Sequence, residues 1–199
     1  MSFVVVDFDG CLVNDVSETF KKFLRSSNSR LEDIYKETIF DIIDSVPFVF
    51  SKAAKKIDFK KALNQNVIIG LKDIQNKGIE IVVRTANTNL KDSDIKDIKE
   101  ELQKRGLEVK IERVKDTKKC ESENGEKPLL IIDDNPKVIR SAIKNGINSI
   151  IVLTDYNRLE AKFLSKINNT VCISDPNMLE EKLKDYKFKI LSNKNLSIS

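Results

Sequence analysis

Phe3-Val4-Val5-Val6-Asp7-Phe8-Asp9-Gly10 decides the reading of this chain. The apolar, β-branched run reads as a buried strand, and it ends abruptly on two carboxylates flanking one phenylalanine. Gly10 then frees the backbone to turn. Side chains alternate along an extended strand, so Asp7 and Asp9 project to the same side, past the strand's carboxyl end. In open α/β sheets that edge is where ligands bind. Two carboxylates converging there repel each other unless a cation or a shared proton intervenes. The economical reading is a hard-cation site with one carboxylate left to do chemistry.

Working outward, further apolar runs at 79–84, 108–113, 129–132 and 149–153 read as strands, with a weaker one at 171–173. Helical patterns over 67–77, 94–105 and 136–145 separate most of them, and each stops at a glycine, Gly78, Gly106 or Gly146, placed as a left-handed helix terminator. Asn135-Pro136 and Asp175-Pro176 read as N-caps followed by proline at the first helical position. Strand–helix alternation predicts an α/β fold with a doubly wound, mostly parallel sheet.

Residues 15–65 break that rhythm. Helices are expected near 17–26 and 31–45, with a third after Pro47, and six of the ten phenylalanines fall in this stretch. It reads as a small helical module inserted after the acidic strand, its aromatics forming the module's own core. The expected organisation is therefore an α/β core of residues 1–14 and 66–187, a helical insertion over 15–65, and a tail over 188–199.

The chain has 199 residues, a formal net charge of +4, and no histidine. Lacking histidine, it cannot build a Ser-His-Asp triad, a Cys-His pair or an HExxH zinc site. Catalysis must run on carboxylates, lysines, hydroxyls or a metal. Neither a GxxxxGK[ST] loop nor a GxGxxG turn occurs. Three scattered cysteines argue against a disulfide framework and for a reducing compartment. No apolar run approaches the ~20 residues of a membrane span, and no secretory signal is evident, so the expected location is cytoplasmic. The slight basic bias is compatible with phosphorylated or nucleic-acid partners, although a lysine-rich solvated surface explains it as well.

The acidic strand has counterparts. Leu129-Leu130-Ile131-Ile132 ends on Asp133-Asp134 and the capped helix start Asn135-Pro136. Parallel strands would bring Asp7, Asp9, Asp133 and Asp134 to one edge, a donor set that suits Mg²⁺. One carboxylate is enough for helix capping, so the pair is the informative part. A third strand ends at Thr85-Ala86-Asn87, where a hydroxyl and an amide can hydrogen-bond phosphate oxygens.

These elements, in this order, resemble the haloacid dehalogenase-like phosphohydrolase superfamily. VVVDFDG looks like its first motif, IVVRTAN its second and LLIIDDNP its fourth, and the resemblance spans about residues 3–155. It implies a Rossmann-like core with a cap inserted after the first motif, where residues 15–65 stand. On this resemblance Asp7 is the nucleophile that forms an aspartyl-phosphate, and Asp9 protonates the leaving oxygen and then activates water. Thr85, with Ala86 and Asn87, holds the phosphoryl group. Mg²⁺ sits among Asp7, Asp9 (through its carbonyl) and Asp133 or Asp134.

The family's third motif is a lysine, and here the sequence departs from pattern. The segment from Lys115 to Lys127 is short, with little room for the usual helix. Lys127 lies at the amino end of the following strand, about 17–20 Å from Asp133 on an extended chain. Lys118 is the expected catalytic and phosphate-binding lysine, with Lys119 and Lys115 behind it. Cys11 occupies a position where the family usually has threonine or valine, and reads as a small packing residue.

The expected activity is thus an Mg²⁺-dependent phosphomonoesterase acting on a phosphorylated small metabolite or nucleotide. The alternatives are a polynucleotide 3′-phosphatase, with nucleic acid as partner, and a non-catalytic binding module. An inactive descendant would be expected to lose Asp7 or Asp9 first, and both are present.

Overall fold

The computed structural model describes residues 2–13, 62–87, 90–122, 125–154, 157–167, 171–175 and 178–184. The predicted insertion lies outside these residues up to position 61, as does the predicted tail over 188–199.

Within the described residues the chain runs β1 (Phe3–Asp7), α1 (Gln65–Gln75), β2 (Glu80–Thr85), α2 (Asp92–Lys104) and β3 (Lys110–Arg113). A 3-10 turn (Asp116–Lys118) leads to β4 (Leu130–Asp133), followed by α3 (Pro136–Lys144), β5 (Asn148–Val152), α4 (Arg158–Ile167) and β6 (Val171–Ser174). The six strands form one sheet in the order β3-β2-β1-β4-β5-β6, and every pairing is parallel. This is the predicted doubly wound α/β fold.

Period-2 alternation explains how the sheet is buried on both faces. From β1, Val4 and Val6 enter the larger core with Ile68, Leu71, Ile81, Val83 and Ile132. Phe3 and Val5 point the other way, to Val82, Ile131, Val138 and Ala142. Ile139, Ile151, Ala161 and Leu164 make a third cluster beneath α4.

Helix ends follow local chemistry. Asn64 caps α1 by accepting from the backbone N–H groups of Asn66 and Val67 at 3.1 and 3.4 Å. That cap starts the helix two residues before the apolar pattern does. Asn135 caps α3 through Lys137 N at 2.9 Å, with Pro136 in the first turn, as the sequence predicts. Helix α4 carries no expectation from the sequence, and its pattern shows why. Leu159 and Phe163 are 67% and 60% exposed, so its apolar residues do not mark a single buried face.

Two features set up the site. The strand order reverses at β1, which lies between β2 and β4, and this opens a crevice at the carboxyl ends of those strands. The chain also returns to β1 after the segment beyond Val13: Val13 bridges Leu63, and Asn64 N donates to Leu12 O at 2.8 Å. Among the described residues no helix is long and apolar enough to cross a membrane.

Candidate active site

In the register of the sheet, Asp7 lies beside Arg84, and Val6 beside Ile132. Asp7, Thr85 and Asp133 therefore close three adjacent strands at one edge. Asp9 follows in the turn, where its carboxylate accepts hydrogen bonds from the side chains of Asn87 and Thr85. The Thr85 hydroxyl also accepts from Asn87 N at 3.0 Å, while Ala86 is exposed at the rim.

The lysine of the site is Lys119. Its ammonium lies 2.6 Å from Asp7 Oδ1, 3.0 Å from Asp116 Oδ1 and 3.2 Å from Asp133 Oδ2, with its side chain 4% exposed. Lys118, the residue favoured from sequence, is instead 58% exposed and lies 3.8 Å from Glu121. The 3-10 turn is the reason. Residues three apart eclipse one another in such a turn, so Asp116 and Lys119 share the inner side and Lys118 turns outward. Lys115 is exposed. Lys127 is also exposed and donates to Asn145 O at the end of α3, 3.0 Å away, so it serves the opposite edge as expected.

The four expected metal carboxylates divide. Asp133 gives one oxygen to Lys119 and the other to Asn135 N at 2.8 Å. The Asp9 carboxylate is directed at Thr85 and Asn87. Asp7 and Asp134 converge instead with Cys11, their ligand atoms all within 4.8 Å of one another.

No protein-family model and no curated protein sequence matches the chain. Solved structures do. A hydrolase from Pseudomonas syringae aligns with a TM-score of 0.57 at 13% identity, over 93% of this chain and 99% of that one. A phosphoserine phosphohydrolase-like protein from Francisella tularensis aligns with a TM-score of 0.52 at 14% identity, over 92% and 98%. The chain has the haloacid dehalogenase-like fold.

Three supports of this candidate site carry no signal in the sequence. Asp116 completes the carboxylate set around Lys119 and accepts from Asn135 Nδ2 at 3.1 Å. Arg84, buried in β2, clamps the lysine loop to the sheet. Its guanidinium donates to Lys119 O at 2.8 Å and Glu121 O at 2.9 Å, and it pairs with Glu112 at 2.9 Å. Asn157 donates to the backbone oxygens of Asp134 and Val152 at 2.6 and 2.8 Å, pinning β4's acidic end to β5.

Electrostatics follow from burial and crowding. Burial pushes Asp7 well above the usual carboxyl range; Lys119 opposes this, and Asp133, Asp134 and Asp9 add to it. Asp134 is likewise held well above that range, by burial and then by Asp133. Asp9 is pushed up to about 6 by burial, against the pull of Lys119 and its hydrogen bonds to Asn87 and Thr85. Burial alone would lower Lys119, yet Asp133, Asp7 and Asp116 outweigh it and hold the ammonium cationic. Burial and the carboxylates of Asp134 and Asp7 keep the Cys11 thiol protonated, which removes it as a nucleophile.

Gly10 is required where it stands. Its φ is +80°, and a Cβ there would stand 2.6 Å from Asp134 Cγ. Gly10→Ala is expected to cost at least about 1–3 kcal/mol from backbone strain, with Asp134 displaced in addition. Denaturant unfolding would measure the loss. An unchanged midpoint would mean that the turn can relax without disturbing Asp134.

Proposed function

We propose that this protein is a Mg²⁺-dependent phosphomonoesterase that works through an aspartyl-phosphate on Asp7, with a phosphorylated small metabolite or nucleotide as substrate. The observation that carries this reading is the Lys119 ammonium, buried between Asp7 and Asp133 at the sheet's switch point.

The donor set suits the cation. Asp7 and Asp134 offer hard carboxylate oxygens within 4.8 Å, and glycine at position 10 keeps that space free of a side chain. When bound there, Mg²⁺ offsets the repulsion between carboxylates and phosphate. The remaining chemistry belongs to the chain. The Asp7 carboxylate attacks phosphorus while Asp9 gives its proton to the departing alcohol oxygen. Asp9 then takes a proton from water as that water attacks phosphorus, which frees Asp7 and inorganic phosphate. A value near 6 lets Asp9 hold and release a proton near neutrality, as both steps require. Lys119 keeps Asp7 oriented, opposes the upward push of burial on its carboxyl, and meets the charge of the transferring group. Thr85 and Asn87 aim Asp9 and supply donors to phosphoryl oxygens.

Phosphate release from nucleoside monophosphates, sugar phosphates and 3′-phosphorylated oligonucleotides, with Mg²⁺ and with EDTA, tests the proposal. Metal-dependent release, removed by EDTA and restored by Mg²⁺, is the expected result. A preference for the oligonucleotides would turn the substrate assignment to nucleic-acid ends. Release that ignores EDTA would sink the cation's role, and no release from any substrate would favour a binding module.

A further inference from the structure

We propose that Cys11 makes the Asp7–Asp134 pair a binding site for a thiophilic divalent cation of the zinc and cadmium class, held by one thiolate and two carboxylates. This inference rests on the reading above that Asp7 and Asp134 hold a divalent cation.

The three side chains are buried, and their ligand atoms lie within 4.8 Å of one another, so that a small inward adjustment lets them share one ion through bonds of ~2.0–2.3 Å. The turn at Gly10 creates this placement. Gly10 N donates to Val13 O at 3.0 Å, Leu12 N to Asp7 O at 3.3 Å and Val13 N to Phe8 O at 2.9 Å. These bonds close the loop onto the strand end and keep Cys11 beside Asp7. Among the described residues no hydrogen bond engages its thiol. The other cysteines have ordinary places: Cys120 donates to Val138 O at 3.5 Å, and Cys172 packs against the main core.

Ligand chemistry then separates two classes of cation. Mg²⁺ takes oxygen donors and gains little from sulfur, whereas zinc-class ions bind thiolate strongly. On ligation the Sγ–H proton passes to solvent, and the sulfur electron pair forms the bond to the ion. Asp7 is shared between this centre and the attack on phosphorus. A zinc-class ion held here therefore ties up the nucleophile and competes with Mg²⁺, so its expected effect on phosphate release is inhibition.

Cd²⁺ titration of the full chain tests this, read by ultraviolet thiolate-to-metal charge-transfer absorption, with Mg²⁺ and Cd²⁺ thermal shifts alongside. The band is expected in the wild type and in a Cys120→Ala/Cys172→Ala double variant, which leaves Cys11 as the one sulfur that can give it. Cys11→Ser should lose the band and at least ~10-fold in Cd²⁺ affinity, yet keep the Mg²⁺ thermal shift. Should Cys11→Ser fail to fold, the double variant still decides, because a band missing there removes Cys11 as the ligand. A Mg²⁺ shift without any Cd²⁺ band in the wild type would overturn this proposal and leave the Mg²⁺ reading standing. No response to either cation would overturn both.

Discussion

Lys119→Met is expected to reduce phosphate release by about 10³-fold and to destabilise the fold by about 3–5 kcal/mol, while Lys118→Met leaves both close to wild type. The ammonium of Lys119 is the cation within 3.2 Å of three carboxylates, and two of these, Asp7 and Asp133, are buried. Removing it strands those charges in a low-dielectric setting, which costs far more than losing an exposed pair. A domain is stable by only about 5–15 kcal/mol in total, so the loss is a large fraction. The penalty should also depend on pH, with a sign that follows from the carboxyls. Burial already holds Asp7 and Asp133 above their usual range, and without Lys119 they rise further. A group raised in the folded state favours folding while protonated and loses that contribution as pH climbs through its folded value. The gap between Lys119→Met and wild type should therefore be small in acid and widen toward neutral pH. Denaturant melts at several pH values, with phosphate release alongside, would measure it. If Lys118→Met were the damaging change, the site as described would be wrong.

Asp7→Asn is expected to lower phosphate release on the order of 10⁴-fold or more, with stability within ~1 kcal/mol of wild type or above it. The amide keeps the size of the carboxylate but cannot form the covalent phosphoryl intermediate. Stability is spared for a local reason. Lys119 keeps Asp116 and Asp133 at 3.0 and 3.2 Å, and the Asn oxygen can still accept from it. One of several crowded, desolvated carboxylates disappears, which relieves repulsion with Asp133, Asp134 and Asp9. Phosphate release and thermal unfolding on the same preparation are the measurement. Activity retained within tenfold would remove Asp7 as the nucleophile, and an unfolded variant would show that the carboxylate is needed for the fold itself.

Much of the architecture was legible because burial leaves a periodic trace. The run at 79–84 predicts β2, observed over Glu80–Thr85, and 149–153 predicts β5, observed over Asn148–Val152. Strands buried on both faces read as continuous apolar runs, and Asn135-Pro136 announces α3 by cap chemistry alone. Where a helix turns large apolar residues to solvent, as α4 does with Leu159 and Phe163, that trace is lost. The lysine run failed as a guide for a related reason. Lys115, Lys118 and Lys119 are alike in composition, and nothing in Lys115-Asp116-Thr117-Lys118-Lys119 shows which of them turns inward.

By itself, then, the sequence determined the α/β class, the strands that end on carboxylates, and the exclusion of histidine chemistry, because these depend on residue type and short-range spacing. Tertiary structure decided which charges meet. The 3-10 turn selected Lys119, Arg84 tied its loop to β2, Asn157 pinned Asp134, and the Gly10 turn brought Cys11 beside Asp7. Each of those outcomes depends on contacts between segments far apart in the chain, or on a single residue's angle in a short irregular turn. Neither leaves a periodic mark in one sequence, because the energy that fixes them comes from packing and charge pairing after the sheet has formed.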